Sequence, residues 1–389
     1  MRIGIDARTI LNPERGEAIG VGHYTYQLIR HLLAIDKENE YVLFFDFRVR
    51  EKDVKKFSLP NVKIKFYPFS DYKKYLPVAY SEILGTATLV REKLDVLHAT
   101  SPESRIPLGY QGKTIVTFHD LSVFEHPECF PKVKGTRDKT IMKLMANKAD
   151  RIISVSSATR DALKKHLSVP AEKVAVVHSG IDRRFFDEPA GADIPKLLGR
   201  FGIERQYILF LGTLEPSKNV TRLLEAFAKF KEKMLPVGGG SFQYQLVVAG
   251  KRGWLSEEYR QLVKDLGLAK DVVFTGYVVG DEIVPLFKHS QFFIMPSLSE
   301  GFGMTVLEAF ATGTPSIISN VSSLPEVAGD AARFVNPVDV TEMTEAMVSF
   351  ANNEQERNQY IQKGYERAKL FDWEKTARET LAVYKSLVE

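Results

Sequence analysis

Short runs of β-branched and aromatic residues alternate with helical patterns along almost the whole chain, and this alternation constrains the fold more than any other feature. In the first half, strand-like runs occur at 3–5, 42–45, 62–66, 96–98, 115–118, 152–155 and 174–177. Helical periodicity separates several of them, most clearly at 24–33 and 158–166. Strands that alternate with helices in this way predict a parallel sheet covered on both faces.

The same alternation begins again after a polar stretch rich in turn-forming residues at 180–193. Strand-like runs follow at 208–211, 245–249, 272–274, 292–295, 316–318 and 333–335, with helical patterns at 220–233 and 256–266. A chain of 389 residues also exceeds the size that one hydrophobic core usually supports. We therefore predict an α/β protein with two doubly wound, Rossmann-like domains, an N-terminal one at 1–182 and a C-terminal one at 183–370.

Helical periodicity returns at 341–351, 354–370 and 373–388, with no strand left for the last of these helices to serve. A terminal helix must still bury its apolar face on some other element. We expect residues 371–389 to pack back on the first domain.

Composition is that of an ordinary globular protein, with 44% hydrophobic residues and a net charge of only +4. Cys129 is the single cysteine, which excludes a disulfide within the chain. No leader pattern precedes the first strand-like run, and no apolar run reaches the length that spans a membrane. We expect a cytoplasmic protein that has no nucleic-acid partner.

A basic segment at 132–151 holds seven Lys or Arg residues against Asp138 and Asp150. Apolar residues are interspersed with the basic ones, which suggests a cationic amphipathic helix. Such a helix would allow peripheral contact with anionic lipid at the inner face of the membrane, or with a phosphorylated acceptor. The alternative is a solvated face on a helix whose apolar side covers the sheet.

Two glutamates, Glu300 and Glu308, stand with seven residues between them just after the run at 292–295. The spacing predicts Glu300 in a glycine-containing loop and Glu308 on the first turn of the next helix, so both carboxylates could face one ligand. Open α/β sheets bind ligands at the carboxyl ends of their strands, and amides that open a helix suit a phosphate. Alternatively, Thr305 and Glu308 form a capping box, and Glu300 is a solvated loop charge.

Basic residues follow two of the strand-like runs in the second half. Lys218 precedes Asn219, which would cap the following helix, so its ammonium would lie beside helix-opening amides. Lys251 and Arg252 come after the next run. Cations from both loops would face the same crevice as Glu300, which suits a diphosphate. The alternative for Lys218 is a solvated position after a Pro-Ser turn.

In the first half, Gly20 and Gly22 open a helix after the first strand and would let a ligand approach the backbone closely. The third glycine of the dinucleotide-binding motif is missing, which disfavours a nicotinamide enzyme. His119 closes the run at 115–118 and could hydrogen-bond a substrate hydroxyl, although a histidine satisfied within the protein is the alternative.

Several other chemistries lack their motifs. The sequence has no Asp-x-Asp pair, no Cys/His cluster with metal-ligand spacing, no Gly-x-Ser-x-Gly and no complete Gly-x-x-x-x-Gly-Lys-Ser/Thr phosphate loop. We therefore expect no metal and no cofactor, and hydrolases and nucleoside triphosphatases are disfavoured.

Together these motifs resemble one known family along nearly the entire chain. The longest is Glu300-Gly-Phe-Gly-Met-Thr-Val-Leu-Glu308-Ala-Phe-Ala-Thr-Gly313-Thr-Pro315, and the others are Gly212-Thr-Leu-Glu-Pro-Ser-Lys218-Asn219, Ala249-Gly-Lys-Arg-Gly-Trp254, Thr275-Gly-Tyr277-Val, Thr117-Phe-His-Asp120 and Val177-His-Ser-Gly180-Ile-Asp182. They are similar to those of the retaining glycosyltransferases of family 4, which have the GT-B fold, in the mannosyltransferase-like branch.

The resemblance implies two domains facing a central cleft and the transfer of a hexose from a nucleotide-sugar donor to a glycan or lipid-linked acceptor. Anomeric configuration would be kept and no metal bound. By position, Glu308 would bind the donor ribose, Glu300 the donor sugar and Lys218 the diphosphate. His119 would approach the transferring sugar, so His119, Glu300 and Lys218 are the implied catalytic residues.

The resemblance also implies donor contacts made largely through the backbone. These involve Gly20, Gly22, Gly212, Gly303, Met304, Thr305 and, near the base, Tyr277. Many family members carry arginine where this chain has Thr213, so one phosphate-binding cation is unassigned and Lys251 or Arg252 is the candidate to replace it.

The mannosyltransferase-like motifs favour GDP-mannose as donor. UDP-glucose and UDP-N-acetylglucosamine are the alternatives within the same fold, and a glucan phosphorylase or synthase is a further enzymatic one. A catalytically inert sugar-nucleotide-binding subunit is the alternative from another class.

Overall fold

A computed structural model describes residues 1–11, 20–67, 78–187, 193–235, 240–251, 256–278 and 280–389. The chain forms two compact units. The first comprises Met1–Phe124, Pro131–Gly180 and Asp372–Glu389, and the second comprises Glu125–Phe130 and Ile181–Phe371. The chain therefore changes unit two residues before the predicted boundary at 182 and again after Phe371, and the short insertion at 125–130 had no sequence signal.

The first unit is built on a parallel sheet of seven strands. They are β1 (Arg2–Asp6), β2 (Glu40–Asp46), β3 (Val62–Tyr67), β4 (Val96–Ala99), β5 (Thr114–Phe118), β6 (Arg151–Ser154) and β7 (Val174–Val176), in the order β3-β2-β1-β4-β5-β6-β7. The helices are α1 (Gly20–Ile35), α2 (Glu51–Val54), α3 (Val78–Arg91), α4 (Ser122–Glu125), α5 (Lys132–Lys148), α6 (Ser157–Leu167) and, from the end of the chain, α15 (Trp373–Val388).

The second unit has a parallel sheet of six strands. They are β8 (Gln206–Leu211), β9 (Tyr244–Ala249), β10 (Val272–Gly276), β11 (Phe292–Met295), β12 (Ser316–Ser319) and β13 (Arg333–Val335), in the order β10-β9-β8-β11-β12-β13. The helices are α7 (Ile194–Phe201), α8 (Val220–Met234), α9 (Ser256–Asp265), α10 (Ile283–Lys288), α11 (Met304–Ala311), α12 (Leu324–Ala328), α13 (Val340–Asn352) and α14 (Glu354–Ala368).

Each predicted strand corresponds to one of these thirteen, and two doubly wound, Rossmann-like domains are confirmed. Most of the strands are apolar on both faces because helices cover both sides of each sheet, whereas the edge strand β3 carries Lys63 and Lys65. In the second unit, for example, Phe227 of α8 and Met347 of α13 share a buried cluster with Ile208 and Phe292 of the sheet.

The last helix belongs to the first unit, where α15 packs against α1. Trp373 is buried at the start of this helix, and a Cβ added to Gly180 would lie 2.1 Å from the backbone nitrogen of Trp373. Near the other end, the Tyr384 hydroxyl lies 2.7 Å from Nδ1 of His98 in β4. Close backbone packing and a buried hydrogen bond therefore hold α15 at both ends.

Candidate functional site

The strand order of the second unit places two predicted site residues at one point. Between β8 and β11 the order of strands reverses, and doubly wound sheets bind ligands outside the carboxyl ends of such strands. Lys218 follows β8 in a short 3-10 turn, and Glu300 lies in the loop after β11. The Leu298 amide donates to the Ser217 carbonyl at 2.8 Å, which joins the two loops.

Lys218 and Glu300 form an ion pair, with 2.5 Å between Nζ and Oε1. The Ser297 hydroxyl donates to the same carboxylate oxygen at 2.8 Å. The two charged side chains are only 24% and 12% exposed, so the alternatives that treated each as a solvated charge are wrong. No described residue bonds Oε2 of Glu300, and that oxygen keeps its capacity to accept from a ligand.

Two serines before α12 hold the loop that carries Glu300. The hydroxyls of Ser322 and Ser323 each lie 2.8 Å from the Glu300 carbonyl, and the Ser323 hydroxyl is also 2.9 Å from the Phe302 carbonyl. Ser323 is fully buried. No sequence motif indicated this contact, because the serines lie more than twenty residues further along the chain.

Helix α11 begins without a side-chain cap, at Gly303, whose φ of +98° is left-handed. A Cβ at Gly303 would come within 2.7 Å of Leu324 Cδ2, so the position suits glycine. The predicted capping box is wrong, because Thr305 is already helical and Glu308 lies in the second turn. First-turn amides without a side-chain acceptor remain available to a ligand, and the roles predicted for Gly303, Met304 and Thr305 stay predictions.

Glu308 is half-buried on α11, and desolvation raises its pKa from 4.5 to about 7. The charge of Arg184 opposes this rise in the pKa, and the charge of Asp182 adds to it. The Nε atom of Arg184 is buried without a hydrogen-bond partner among the described residues, and lies 3.8 Å from Asp182 Oδ2. No sequence motif indicated Arg184, which is distant from Glu308 along the chain.

The loops that follow β8, β9 and β10 are joined by their backbones. The Gly212 amide donates to the Ala249 carbonyl and the Gly250 amide to the Gly276 carbonyl, both at 2.9 Å. Gly250 has a φ of +144°, and an added Cβ would lie 1.9 Å from the Gly212 carbonyl oxygen. The backbone at Gly212, which is predicted to bind the donor, is therefore part of one continuous edge formed by these three hydrogen-bonded loops.

The remaining predicted residues of this edge have different exposures. Thr213 is half-buried, whereas Lys251 and Tyr277 are exposed. Arg252, the other candidate cation, lies outside the described residues.

Asn219 occupies the start of α8, but its side chain donates to the carbonyls of Pro296 and Pro337 at 2.9 and 2.6 Å instead of capping the helix. The predicted capping role of Asn219 is therefore wrong.

In the first unit, His119 lies just after β5, and its Nε2 is 2.8 Å from the Thr100 carbonyl oxygen. Because a carbonyl only accepts, Nε2 carries the proton and Nδ1 is the acceptor. Desolvation lowers the pKa of His119, which favours the neutral ring. Gly20 and Gly22 lie in the first turn of α1, and residues 12–19 before them lie outside the described residues.

A second histidine of the first unit was not predicted. His98 is fully buried, with Nδ1 2.7 Å from the Tyr384 hydroxyl and Nε2 2.7 Å from the Thr117 hydroxyl. Burial lowers its pKa to about 3. His98 is therefore neutral and structural.

The basic segment forms α5, which ends at Lys148, while Arg151 begins β6. Ile141, Met145 and Ala146 are buried. Lys132, Lys134, Arg137 and Lys143 are exposed, and so is Val133, at 87%. No helix in the described ranges has both the length and the apolar character needed to cross a membrane.

Comparisons with known proteins agree with this architecture. Residues 19–185 match the family described as Glycosyltransferase Family 4, and residues 199–367 match Glycosyl transferases group 1. The O-antigen chain mannosyltransferase B of Escherichia coli is 28% identical over 375 residues, which cover 95% of this chain and 96% of that protein. The serotype-specific mannosyltransferase WbdA of Escherichia coli is 26% identical over 75% of this chain, but the chain spans only 36% of that longer protein.

Solved structures of similar fold cover the chain completely. Sucrose-phosphate synthase from Thermosynechococcus elongatus has a TM-score of 0.78 at 19% identity, covering 100% of this chain and 99% of that one. HepE from Anabaena, in complex with UDP and glucose, has a TM-score of 0.74 at 18% identity and covers 100% of both chains. The chain belongs to the GT-B glycosyltransferases of family 4, among their mannosyltransferase-like members.

Over the described ranges, no three or more His, Cys, Asp or Glu side chains are grouped closely enough to hold a metal ion.

Proposed function

We propose that this glycosyltransferase moves a hexose to a hydroxyl of a growing polysaccharide or lipid-linked glycan. The favoured donor is GDP-mannose, so the transferred sugar would be mannose. The anomeric configuration of the sugar would be retained. The similarity to the O-antigen chain mannosyltransferase B of Escherichia coli supports this substrate class. One observation carries the proposal: the half-buried pair of Lys218 and Glu300 lies where the strand order reverses.

Charge explains how these groups would act. Breaking the bond between the sugar and the diphosphate leaves negative charge on the phosphate oxygens, and a positioned ammonium stabilises that charge. The Lys218 ammonium would do so together with the positive end of α11. Glu300 would accept hydrogen bonds from sugar hydroxyls through Oε2, and Glu308 from the ribose hydroxyls.

Retention follows if the acceptor approaches the face from which the phosphate leaves. The acceptor oxygen bonds to the anomeric carbon as the bond between that carbon and the phosphate oxygen breaks. The departing phosphate oxygen takes the proton of the acceptor hydroxyl. The products are the glycoside and the nucleoside diphosphate. This route uses no metal, so we expect turnover to survive treatment with EDTA.

The test is a donor panel of GDP-mannose, UDP-glucose and UDP-N-acetylglucosamine with a glycan acceptor, and NMR of the product to determine the anomeric configuration. Lys218→Ala and Glu300→Gln should each lower kcat by about a hundredfold or more, the size of effect seen when one charge-stabilising donor is lost. Lys229→Ala is the matched control because Lys229 is an exposed lysine of α8. Near-normal turnover of Lys218→Ala would contradict the site, and no transfer from any donor would favour an inert subunit.

We also propose that the exposed basic side chains of α5 bind anionic membrane, which would present a lipid-linked acceptor. The four exposed cations of this helix attract anionic lipid, and Val133 can enter the headgroup region. Binding to vesicles of phosphatidylserine and phosphatidylcholine should fall in Lys132→Ser/Lys134→Ser and at high salt. The control Lys164→Ser/Lys165→Ser removes two exposed cations from α6. Equal binding by both double variants would refute a role for α5.

A further inference from the structure

The ring of His119 packs against an aromatic side chain of α1. The centroids of the His119 and Tyr24 rings are 4.7 Å apart and their planes meet at 83°, an edge-to-face arrangement that aromatic pairs favour. Tyr24 is fully buried, whereas His119 is half-buried. Among the described residues, the His119 side chain makes one hydrogen bond, from Nε2 to the Thr100 carbonyl. One hydrogen bond does not fix an imidazole in every direction, so the packing of Tyr24 sets the rest of its orientation.

Tyr24 is held in turn by Trp373 at the start of α15. The two ring centroids are 5.8 Å apart, with 62° between the planes. Trp373 is fully buried, and its backbone packs directly on Gly180, which has no Cβ to separate the two chains. In the first turn of the same helix, the Thr376 hydroxyl donates to the His178 carbonyl at 2.7 Å. The indole is therefore a fixed wall behind Tyr24, and all of these residues belong to the first unit.

The polar atoms of the two rings do not explain why the rings are there. The Tyr24 hydroxyl and the indole nitrogen of Trp373 are buried without a hydrogen-bond partner among the described residues. The Thr117 hydroxyl lies close enough to lower the pKa of Tyr24, but not in the geometry of a hydrogen bond. A buried polar atom without a partner costs stability. The contribution of both side chains is therefore the surface of their rings.

We propose that Tyr24 and Trp373 are positioning residues that hold the His119 ring in the orientation required at the transferring sugar, which rests on the proposed hexose transfer. Nε2 of His119 is committed to the Thr100 carbonyl, so Nδ1 is the acceptor that is left for a sugar hydroxyl. A hydrogen bond on one edge and an aromatic ring against the imidazole prevent it from turning. Because a displacement of about 1 Å at a reacting centre can lower the rate about a hundredfold, loss of the Tyr24 ring should affect kcat.

The first experiment measures kcat and the Km for GDP-mannose in Tyr24→Leu, Tyr24→Phe and Trp373→Leu. Tyr24→Leu should lower kcat by about ten- to a hundredfold and leave Km nearly unchanged, because the buried ring is not a donor contact. Trp373→Leu should lower kcat less, since it acts through Tyr24. Tyr24→Phe keeps the ring and should keep the wild-type kcat.

Phe45→Leu is the matched control. Phe45 is a fully buried aromatic residue of β2 in the same unit, and its ring lies 5.6 Å from that of Phe57. This variant should lower the melting temperature as Tyr24→Leu does, but leave kcat unchanged at temperatures where it is folded. If Tyr24→Leu does not fold, Tyr24→Met takes its place, because the flexible methionine side chain fills irregular gaps.

The second experiment needs no substrate. Desolvation lowers the pKa of His119, so its ring is neutral at neutral pH, and in wild type the proton is on Nε2. The ¹⁵N chemical shifts of the two ring nitrogens, measured by NMR on protein with labelled histidine and assigned with His119→Ala, should therefore differ widely. In Tyr24→Leu they should move towards each other, because a ring that turns exchanges its tautomers.

The outcomes separate this inference from the proposed function. Unchanged nitrogen shifts in Tyr24→Leu would overturn the inference, as would equal losses of kcat in Tyr24→Leu and Tyr24→Phe, or in Tyr24→Leu and Phe45→Leu. Full turnover by His119→Ala would overturn it while leaving hexose transfer intact. Absence of transfer from any donor in wild type would overturn the proposed function, and the nitrogen shifts would still decide whether Tyr24 fixes the ring.

Discussion

Replacing Glu308 by glutamine should make the protein more stable at neutral and alkaline pH while it weakens donor binding. Glu308 is a half-buried carboxyl whose pKa rises from 4.5 to about 7, because desolvation outweighs the attraction of Arg184. The folded state therefore holds this proton more tightly than the unfolded state. Glutamine keeps the size of the side chain and removes the ionisable group.

The magnitude follows from linkage between protonation and folding. A pKa raised in the folded state gives stability that is fully present below pH 4.5 and is lost as the pH rises through 7. Each pH unit between the two pKa values corresponds to about 1.4 kcal/mol. The free energy of unfolding of Glu308→Gln should therefore exceed that of wild type by an amount that grows, from pH 4.5 to above pH 7, to about 3 kcal/mol.

Urea unfolding followed by circular dichroism, repeated at several pH values across this range, measures the difference. Glu345→Gln provides the control, because Glu345 is an exposed glutamate in the middle of α13. A difference between Glu308→Gln and wild type that does not vary with pH would refute the reasoning. The Km for GDP-mannose should rise in Glu308→Gln at the same time, because an amide is a weaker acceptor for ribose hydroxyls than a carboxylate.

Three further outcomes are expected. In wild type, the Km for GDP-mannose should fall as the pH rises through about 7, because the ionised Glu308 carboxylate is the better hydrogen-bond acceptor. A Km that does not change with pH in wild type or in Glu308→Gln would contradict this role. Ser323→Ala removes the hydroxyl that contacts the Glu300 and Phe302 carbonyls and should lower kcat more than it changes Km, with a stability loss of about 1 kcal/mol; unchanged kcat would show that the loop is held without it. Tyr384→Phe leaves Nδ1 of buried His98 unpaired and should cost about 1–3 kcal/mol in the free energy of unfolding of the first unit, a conclusion that an unaltered urea midpoint would overturn.

Local patterns predicted the strands because most of them are apolar runs, three to seven residues long, bounded by polar turns. The same patterns predicted that Lys218 and Glu300 would lie near each other, since the carboxyl ends of parallel strands meet at one edge of a sheet. The 2.5 Å ion pair between them agrees with that argument. The roles of His119 and of the backbone at Gly20 and Gly22 stay predictions.

Local patterns failed where distant residues compete for the same groups. Asn219 has the residue type and position of a helix cap, but the carbonyls of Pro296 and Pro337 take its amide. Thr305 matches a capping box, but the left-handed backbone of Gly303 begins the helix earlier. Arg184 and Ser323 could not have been found by spacing, because each acts on a residue from another segment of the chain.

The sequence alone determined the two-domain α/β architecture, the alternation of strands and helices, and the residue types that collect at the strand ends. These properties depend on hydrophobic periodicity and turn chemistry, which act over a few residues. Only the tertiary structure decided which charges are half-buried, which carbonyls the serines contact, and that Glu308 has a pKa near 7. Desolvation and long-range hydrogen bonds depend on atoms brought together from separate segments, and no local pattern of residues encodes them.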